Sequence, residues 1–335
     1  RKEISSQRRV VVVEGYTDVM AAHLAGVRTA VATCGTAFGA EHIKVLRRIL
    51  RDEANQAPAR VVFTFDGDAA GQKAALRAYG EDQYFAAQTF VAVDPGGLDP
   101  CDLRMKEAIA ADPAATPALY RAAVDILIAL RGHKAEGLAP YDHAVLHREA
   151  SLLTEWYCPA VGLSVDVEGY RAAWDAVFGR ALADRPVTVL RDFHAENLMV
   201  LERTGAFGLL DFQDALAGHP AYDLVSLLQD ARRDVEPAIE QKMLAHYLAA
   251  TGEGDAFLDA YHVLGAQRNA KIIGIFTRLW RRDGKPFYPT MCPRVWGYLE
   301  RDLAQPVLAP VARWFDANVP PALRGDPLLL SGAQA

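Results

Sequence analysis

The sequence predicts two domains of different class: an α/β domain with a small parallel or mixed sheet and covering helices, then a mainly helical domain with one β-hairpin. In residues 1–105, short β-branched runs alternate with segments of helical periodicity. Beyond an Ala- and Pro-rich stretch at residues 108–118, long amphipathic segments dominate. The length of 335 residues also favours about two domains, because single hydrophobic cores rarely grow beyond about 250 residues.

The first domain is predicted to alternate strands with helices. Strands are expected at residues 10–13, 27–32, 61–65 and 87–93, and helices at residues 18–25, 40–52 and 71–79. The four valines at 10–13 are typical of a strand that is buried on both faces. Ile43, Leu46 and Leu50 are spaced as on one face of a helix.

The second domain is predicted to consist mainly of helices. These are expected at residues 119–130, 144–157 and 167–182, and then from residue 222 nearly to residue 320. One hairpin interrupts them, with strands at residues 198–201 and 207–210 and a turn at Thr204 and Gly205. We therefore predict a first domain at 1–105, a junction at 106–117 and a second domain at 118–335.

Composition and charge restrict the possible classes of protein. The chain is 51% hydrophobic and 23% charged with a net charge of −6, which is typical of a globular protein. Neither half has the positive excess expected of a domain that binds nucleic acid alone. The four cysteines form no CxxC pair and none of the nine histidines lies at ligand spacing from a cysteine pair, so we expect reduced thiols and no zinc site. No apolar run approaches the roughly 18 residues of a membrane span, and we expect a cytoplasmic protein without membrane contact.

Acidic residues follow two strands predicted in the first domain. Glu14 comes directly after residues 10–13 and Asp18 four residues later, while Asp66 and Asp68 follow residues 61–65. The carboxyl ends of neighbouring strands converge in the crevice where such sheets bind ligands. Because crowded carboxylates repel unless a cation neutralises them, the pattern predicts a site for Mg²⁺ or a similar ion. Taken alone, Asp18 or Asp68 is equally compatible with a helix-capping role.

These acids lie in motifs that resemble a known domain. The segments EGYTDV at 14–19, GTA at 35–37 and DGDAAG at 66–71 resemble the toprim domain of bacterial DnaG-type DNA primase, over about residues 1–105. The resemblance implies a set of ligands for Mg²⁺ or Mn²⁺, with the last one tentative: Glu14, Asp18, Asp66, Asp68 and Asp99. Cys101 stands where the family often has a further acid. Primer synthesis, with single-stranded DNA and nucleotides as partners, would also require the upstream zinc-binding and basic modules of such primases.

The second domain contains a loop and a hairpin that suit phosphoryl transfer. The segment DFHAEN places Asp192 and Asn197 five residues apart, and the hairpin then returns the chain to Asp211. Phosphoryl transfer needs a carboxylate that accepts the alcohol proton and oxygen ligands that hold Mg²⁺ on the phosphates. The three residues at this spacing therefore indicate a magnesium-dependent phosphotransferase.

This block resembles the aminoglycoside phosphotransferase and choline kinase superfamily, which has the protein-kinase fold, over about residues 117–320. The resemblance implies that Asp192 is catalytic and that Asn197 and Asp211 bind Mg²⁺. In the segment GHPAYDL at 218–224, Asp223 is expected to brace the catalytic loop, and a similar bracing role is expected of His194. Residues 191–228 look most similar to cell-wall amino-sugar kinases that phosphorylate N-acetylmuramate and N-acetylglucosamine, which implies ATP and a sugar as ligands.

The two resemblances leave three accounts of function open. A kinase of this fold also uses an N-terminal lobe with a phosphate-covering loop and a lysine, and the toprim-like segment occupies its place. The chain is thus expected to be an impaired amino-sugar or aminoglycoside-type phosphotransferase, a primase fragment, or an artificial or misassembled fusion without turnover. Self-association is also expected, since a helical lobe without its partner lobe would expose an apolar face.

Overall fold

The computed structural model describes residues 1–13, 15–24, 26–33, 39–50, 59–64, 87–92, 112–183, 185–201, 206–209 and 213–332. The chain divides into two compact units, one of residues 1–116 with 198–210 and the other of residues 117–197 with 211–335. The exact domain boundaries given above remain a prediction.

The first unit contains a parallel four-stranded sheet. Its strands are β1 (Arg9–Val13), β2 (Ala30–Ala32), β3 (Arg60–Thr64) and β4 (Gln88–Ala92), in the order β2-β1-β3-β4. The described helices are α1 (Lys2–Gln7), α2 (Tyr16–Leu24) and α3 (Ala40–Leu50). Alternate side chains of the central strands form a core with one face of α3. The α/β class predicted for this region is therefore correct, and the sheet is parallel.

The predicted helix at 71–79 lies outside the described residues. Strand β2 is shorter than predicted, because Val27 N–H donates to the carbonyl of Ala22 in a turn that ends α2.

The second unit is mainly helical. Its α-helices are α4 (Thr116–Leu130), α5 (His143–Ala150), α6 (Cys158–Ala160), α7 (Val167–Phe178), α8 (Ala221–Leu228), α9 (Pro237–Thr251), α10 (Asp255–Arg281), α11 (Cys292–Leu303), α12 (Ala309–Asn318) and α13 (Pro327–Gly332). The 27-residue helix α10 packs against α8 and α11. At Gly274 on α10, an added Cβ would lie 2.3 Å from the carbonyl carbon of Leu152, so only glycine permits this close approach.

Short strands of the chain form two further pairs. The predicted hairpin is present as β6 (Leu198–Leu201) and β7 (Ala206–Leu209), which pair antiparallel. A second antiparallel pair, β5 (Val187–Val189) with β8 (Leu216–Gly218), was not predicted. Strands of three residues are too short for a recognisable alternation of apolar and polar side chains.

The single helix predicted at 144–157 is interrupted. Helix α5 ends at Ala150, and a π-helical turn at Leu153–Tyr157 leads into α6. The Cys158 N–H donates to the carbonyl of Leu153, five residues back. Pro159 has no N–H with which to continue an α-helical hydrogen-bond ladder, which accounts for the break.

One helical stretch among the described residues has the length and composition of a membrane span. Pro113–Leu130 has a mean hydropathy of 1.2, and 22% of it is buried. The sequence expectation that no run approaches such a span therefore needs correction here. Length and composition alone do not distinguish a span from a helix packed in a folded domain, and here Asp125 binds His246 Nε2 at 2.6 Å while one face buries apolar residues such as Val124.

Two cysteine thiols lie in the core of the helical unit. Cys158 and Cys292 are both buried and free. Burial raises the pKa of Cys158 to about 12 and also raises the pKa of Cys292.

Candidate active site

The predicted catalytic loop connects β5 to β6. Arg191 has a φ of 71°, a left-handed conformation that costs a non-glycine residue about 1–3 kcal/mol. Asp192 follows it and is exposed, and a single 3₁₀ turn, Ala195–Asn197, ends the loop. The strained residue thus directly precedes the carboxylate that sequence analysis assigns to catalysis, and this carboxylate is accessible to a substrate.

Asp223, on α8, holds the main chain where the loop begins. Its Oδ2 accepts the Leu190 N–H at 2.7 Å and its Oδ1 accepts the Arg191 N–H at 2.9 Å. Burial raises the pKa of Asp223 to about 7, although both hydrogen bonds favour the ionised form. The two bonds fix the strained peptide, so the geometry fits the bracing role that the sequence predicts.

His194 is buried and its Nε2 faces two donors. The Arg232 guanidinium Nη1 lies 3.0 Å from this atom and the Asn197 amide Nδ2 lies 3.3 Å from it. Since both neighbours can only donate, Nε2 must be the acceptor and the ring proton must be on Nδ1. Burial and the charges of Arg232 and Arg268 lower the pKa of His194 well below its usual value. A neutral ring with its basic nitrogen occupied suits a bracing role better than a catalytic base.

Asn197 presents an oxygen that suits Mg²⁺. Its amide nitrogen donates to the main-chain carbonyl of Asp192 at 2.8 Å, which leaves the side-chain oxygen available to a cation. The same hydrogen bond links the two residues of the loop that sequence analysis assigns to catalysis and metal binding. Asp211, the second predicted magnesium ligand, lies outside the described residues.

Sequence analysis missed a buried cluster of charges around Glu149, on α5. The Glu149 carboxylate accepts hydrogen bonds from Tyr141 Oη at 2.5 Å, from Lys271 Nζ at 3.0 Å and from the Arg191 guanidinium. Burial alone would raise the pKa of Glu149, but Lys271 and Arg191 hold it below its usual value. Glu149 therefore holds the side chain of Arg191, and Asp223 holds its main chain.

Arg232 lies beyond the end of α8 and also contacts the loop. Its guanidinium contacts His194, and its Nε lies 3.2 Å from Glu196 Oε2. The loop is thus held at three points, by Asp223, Glu149 and Arg232. A local motif could not have revealed Glu149 or Arg232, because they lie 42 and 38 residues from their partners in the loop.

Of the acids predicted to bind metal in the first unit, only Asp18 is among the described residues. It is buried, and its Oδ2 accepts the Gly15 N–H at 2.9 Å at the start of α2. This geometry fits the capping alternative, and metal binding by Asp18 stays a prediction. The others lie outside the described residues: Glu14, Asp66, Asp68 and Asp99.

Comparison with known proteins separates the chain into two regions. Residues 8–93 match the toprim domain family. Over 105 residues the chain is 68% identical to a DNA primase of Streptomyces coelicolor. This aligned segment covers 31% of this chain and 16% of that primase. The N-terminal region is a toprim domain. Its homologues include DNA primases, as the sequence motifs predict.

The region that follows matches a different class of enzyme. Over 220 residues it is 43% identical to an N-acetylmuramate/N-acetylglucosamine kinase of Caulobacter vibrioides, covering 60% of this chain and 61% of that kinase. The corresponding kinase of Pseudomonas aeruginosa is 39% identical over 207 residues, which cover 58% of this chain and 60% of that kinase. The chain therefore contains both a toprim domain and an amino-sugar kinase-like region. It spans about 16% of the primase and 61% of the Caulobacter kinase that it matches.

Proposed function

We propose that the helical unit is the catalytic lobe of a magnesium-dependent phosphotransferase that acts on a hydroxyl group of an amino sugar. The observation that carries this proposal is the exposed Asp192 on a loop whose preceding main chain is fixed by Asp223. The names of the two kinases that match this region support an amino sugar as the acceptor.

In this proposal, the residues of the loop have separate tasks. Asp192 accepts the proton of the acceptor hydroxyl and orients its oxygen for attack. Asn197, together with Asp211, would hold Mg²⁺, which supplies neutralisation of charge on the phosphates of ATP. His194 stays neutral and, through Asn197 and Arg232, keeps the loop in one conformation.

The rate of phosphoryl transfer by this chain depends on how well it positions the nucleotide. Kinases of this fold place a phosphate-covering loop and a lysine before the catalytic loop, whereas here residues 8–93 match the toprim domain. Fixing the reacting groups is worth roughly 7–11 kcal/mol, and each loss of about 1.36 kcal/mol lowers the rate tenfold. We therefore propose that turnover by this chain is close to background.

The test is transfer of radiolabelled phosphate from ATP to N-acetylglucosamine and N-acetylmuramate. The chain itself is compared with a chimera in which the nucleotide-binding lobe of the Caulobacter kinase replaces residues 1–105. We expect transfer by the chimera, its loss in Asp192→Asn, and no change in Glu136→Gln, which alters an exposed ion pair with Lys134. A folded chimera without transfer would contradict the proposal. Robust, Asp192-dependent transfer by the chain itself would instead refute the claim of impairment.

The toprim domain supports a second candidate function, as part of a DNA primase. The observation that favours it is the 68% identity to a DNA primase over 105 residues. In this account, Glu14, Asp18, Asp66 and Asp68 bind Mg²⁺ or Mn²⁺ for nucleotidyl transfer, and single-stranded DNA is bound only with further primase modules. The remaining account is a fusion in which neither half turns over. A cytoplasmic location and some self-association belong to all three accounts as proposals.

A further inference from the structure

Two histidines and an aspartate converge on the surface of the helical unit. His143 and His147 lie one turn apart on α5, and Asp175 lies on α7. Asp175 Oδ1 is 3.6 Å from His143 Nδ1 and 2.7 Å from His147 Nε2. One nitrogen or oxygen atom of each side chain lies within 4.8 Å of the others. None of the three residues belongs to the motifs that predict primase or kinase function.

Packing fixes the two imidazole rings before any ligand arrives. Residues four apart on a helix face the same side. Both rings contact the buried Phe178, with centroids 5.5 Å from it for His143 and 4.8 Å for His147. Preorganised side chains of this kind lose little conformational entropy when they bind an ion.

The donor set is that of a transition-metal site. Imidazole nitrogens suit zinc and its neighbours in the periodic table and do not suit Mg²⁺. Zinc–nitrogen bonds of about 2.0–2.1 Å in a tetrahedron put ligand atoms about 3.4 Å apart. The separation of 3.6 Å between His143 and Asp175 is already close to this, and the remaining pair of ligand atoms lies within 4.8 Å. The 2.7 Å contact of His147 with Asp175 would lengthen as metal bonds replace the hydrogen bond.

We propose that His143, His147 and Asp175 bind a divalent transition-metal ion of the zinc class. Solvent can reach the site, because 44% of the His143 side chain and 48% of the Asp175 side chain are exposed. Three protein ligands leave a fourth position for water or an exogenous ligand. The ion would tie α5 to α7, and the His147 ring would carry its proton on Nδ1 so that Nε2 could bind the metal.

The chain also provides a matched control. His246 Nε2 and Asp125 Oδ1 form a similar pair at 2.6 Å, between α9 and α4. Within the described part of the chain, no third metal-ligating side chain joins this pair. A His–Asp pair that merely links two helices would behave alike at both places, whereas of these two places only the one with His143, His147 and Asp175 offers three ligand atoms.

The experiment uses the whole chain with Mg²⁺ in excess, so that carboxylate sites are occupied. Zn²⁺ is titrated in competition with a chromophoric chelator, and Co²⁺ binding is followed by visible absorption. We expect Asp175→Asn and His143→Ala each to weaken Zn²⁺ binding by at least about tenfold, since loss of even an outer-shell partner costs about 10–100-fold. His246→Ala should bind as the unchanged chain does. The Co²⁺ complex should show the intense bands of tetrahedral coordination.

Three results would overturn the proposal: no Zn²⁺ binding by the unchanged chain, equal binding by both site variants, or a pale octahedral Co²⁺ spectrum. Circular dichroism verifies that the variants fold. We expect both to fold, because the side chains of His143 and Asp175 are partly exposed. If one variant fails to fold, the Co²⁺ spectrum of the unchanged chain and the Zn²⁺ binding of the other site variant decide the question.

Discussion

Replacement of Glu149 by glutamine should destabilise the helical unit strongly. The amide keeps the shape of the side chain but removes the charge that Lys271 and Arg191 share. Breaking a buried ion pair by changing one partner costs about 3–5 kcal/mol, because the other charge stays buried and unpaired. The Lys271 side chain is only 13% exposed and the Arg191 side chain 21%, so water can reach Arg191 more easily. We therefore expect a loss of about 3 kcal/mol in the free energy of unfolding.

Tryptophan fluorescence during guanidinium denaturation measures this loss without interference from the toprim domain. All five tryptophans lie after residue 116 and outside 198–210, and therefore in the helical unit. Glu136→Gln, in an exposed ion pair, should change the free energy by less than about 1 kcal/mol. In Glu149→Gln combined with Lys271→Met, part of the loss should be recovered, with a coupling of about 0.5–3 kcal/mol. If Glu149→Gln unfolds within about 0.5 kcal/mol of the unchanged chain, the charge cluster does not stabilise the loop as argued.

Four further predictions concern other parts of the chain. Burial lowers the pKa of His194, so in mild acid the unfolded state binds a proton that the folded state does not. The free energy of unfolding should therefore fall as the pH drops below about 6.5, and this fall should be less steep in His194→Asn. Gly274→Ala should destabilise by about 1–3 kcal/mol, whereas Gly297→Ala, where an added Cβ meets nothing within 4 Å, should not, as chemical denaturation will show. Calorimetry on the isolated first domain should find weak Mn²⁺ binding that is abolished in Asp66→Asn with Asp68→Asn; unchanged binding would contradict the assignment of these acids. Light scattering at micromolar concentration should detect oligomers, and a monodisperse monomer would argue against an exposed apolar face.

The candidate residues of the catalytic loop could be predicted from the sequence, because they lie close together along the chain. Asp192 and Asn197 are five residues apart in an unusual combination, and the structure joins them by a hydrogen bond. Asp223 was predicted from its own short motif, and in the structure its carboxylate accepts hydrogen bonds from two main-chain N–H groups at the start of the loop. The α/β and helical classes were predictable for the same reason, since the periodicity of apolar residues is a local property.

Contacts between distant segments could not be predicted in this way. Glu149 meets Lys271 across 122 residues, and each taken alone is an ordinary charged residue on a helix. The cluster of His143, His147 and Asp175 was not predicted either, because Asp175 lies far from the two histidines along the chain and no histidine stands at ligand spacing from a cysteine pair. Only the packing of α5 against α7 brings the aspartate to the histidines.

Cys158 and Cys292 allow the opening of the helical unit to be timed by thiol alkylation. The thiolate is the reactive form, and burial with a raised pKa protects both sulfur atoms while the surrounding helices stay closed. At high reagent concentration, the rate of alkylation becomes the rate of opening. Cys158 follows the π-helical turn and Cys292 begins α11, so mass spectrometry can time two different places in one experiment. Equal rates would mean that the unit opens cooperatively, and unequal rates would identify the helix that separates first.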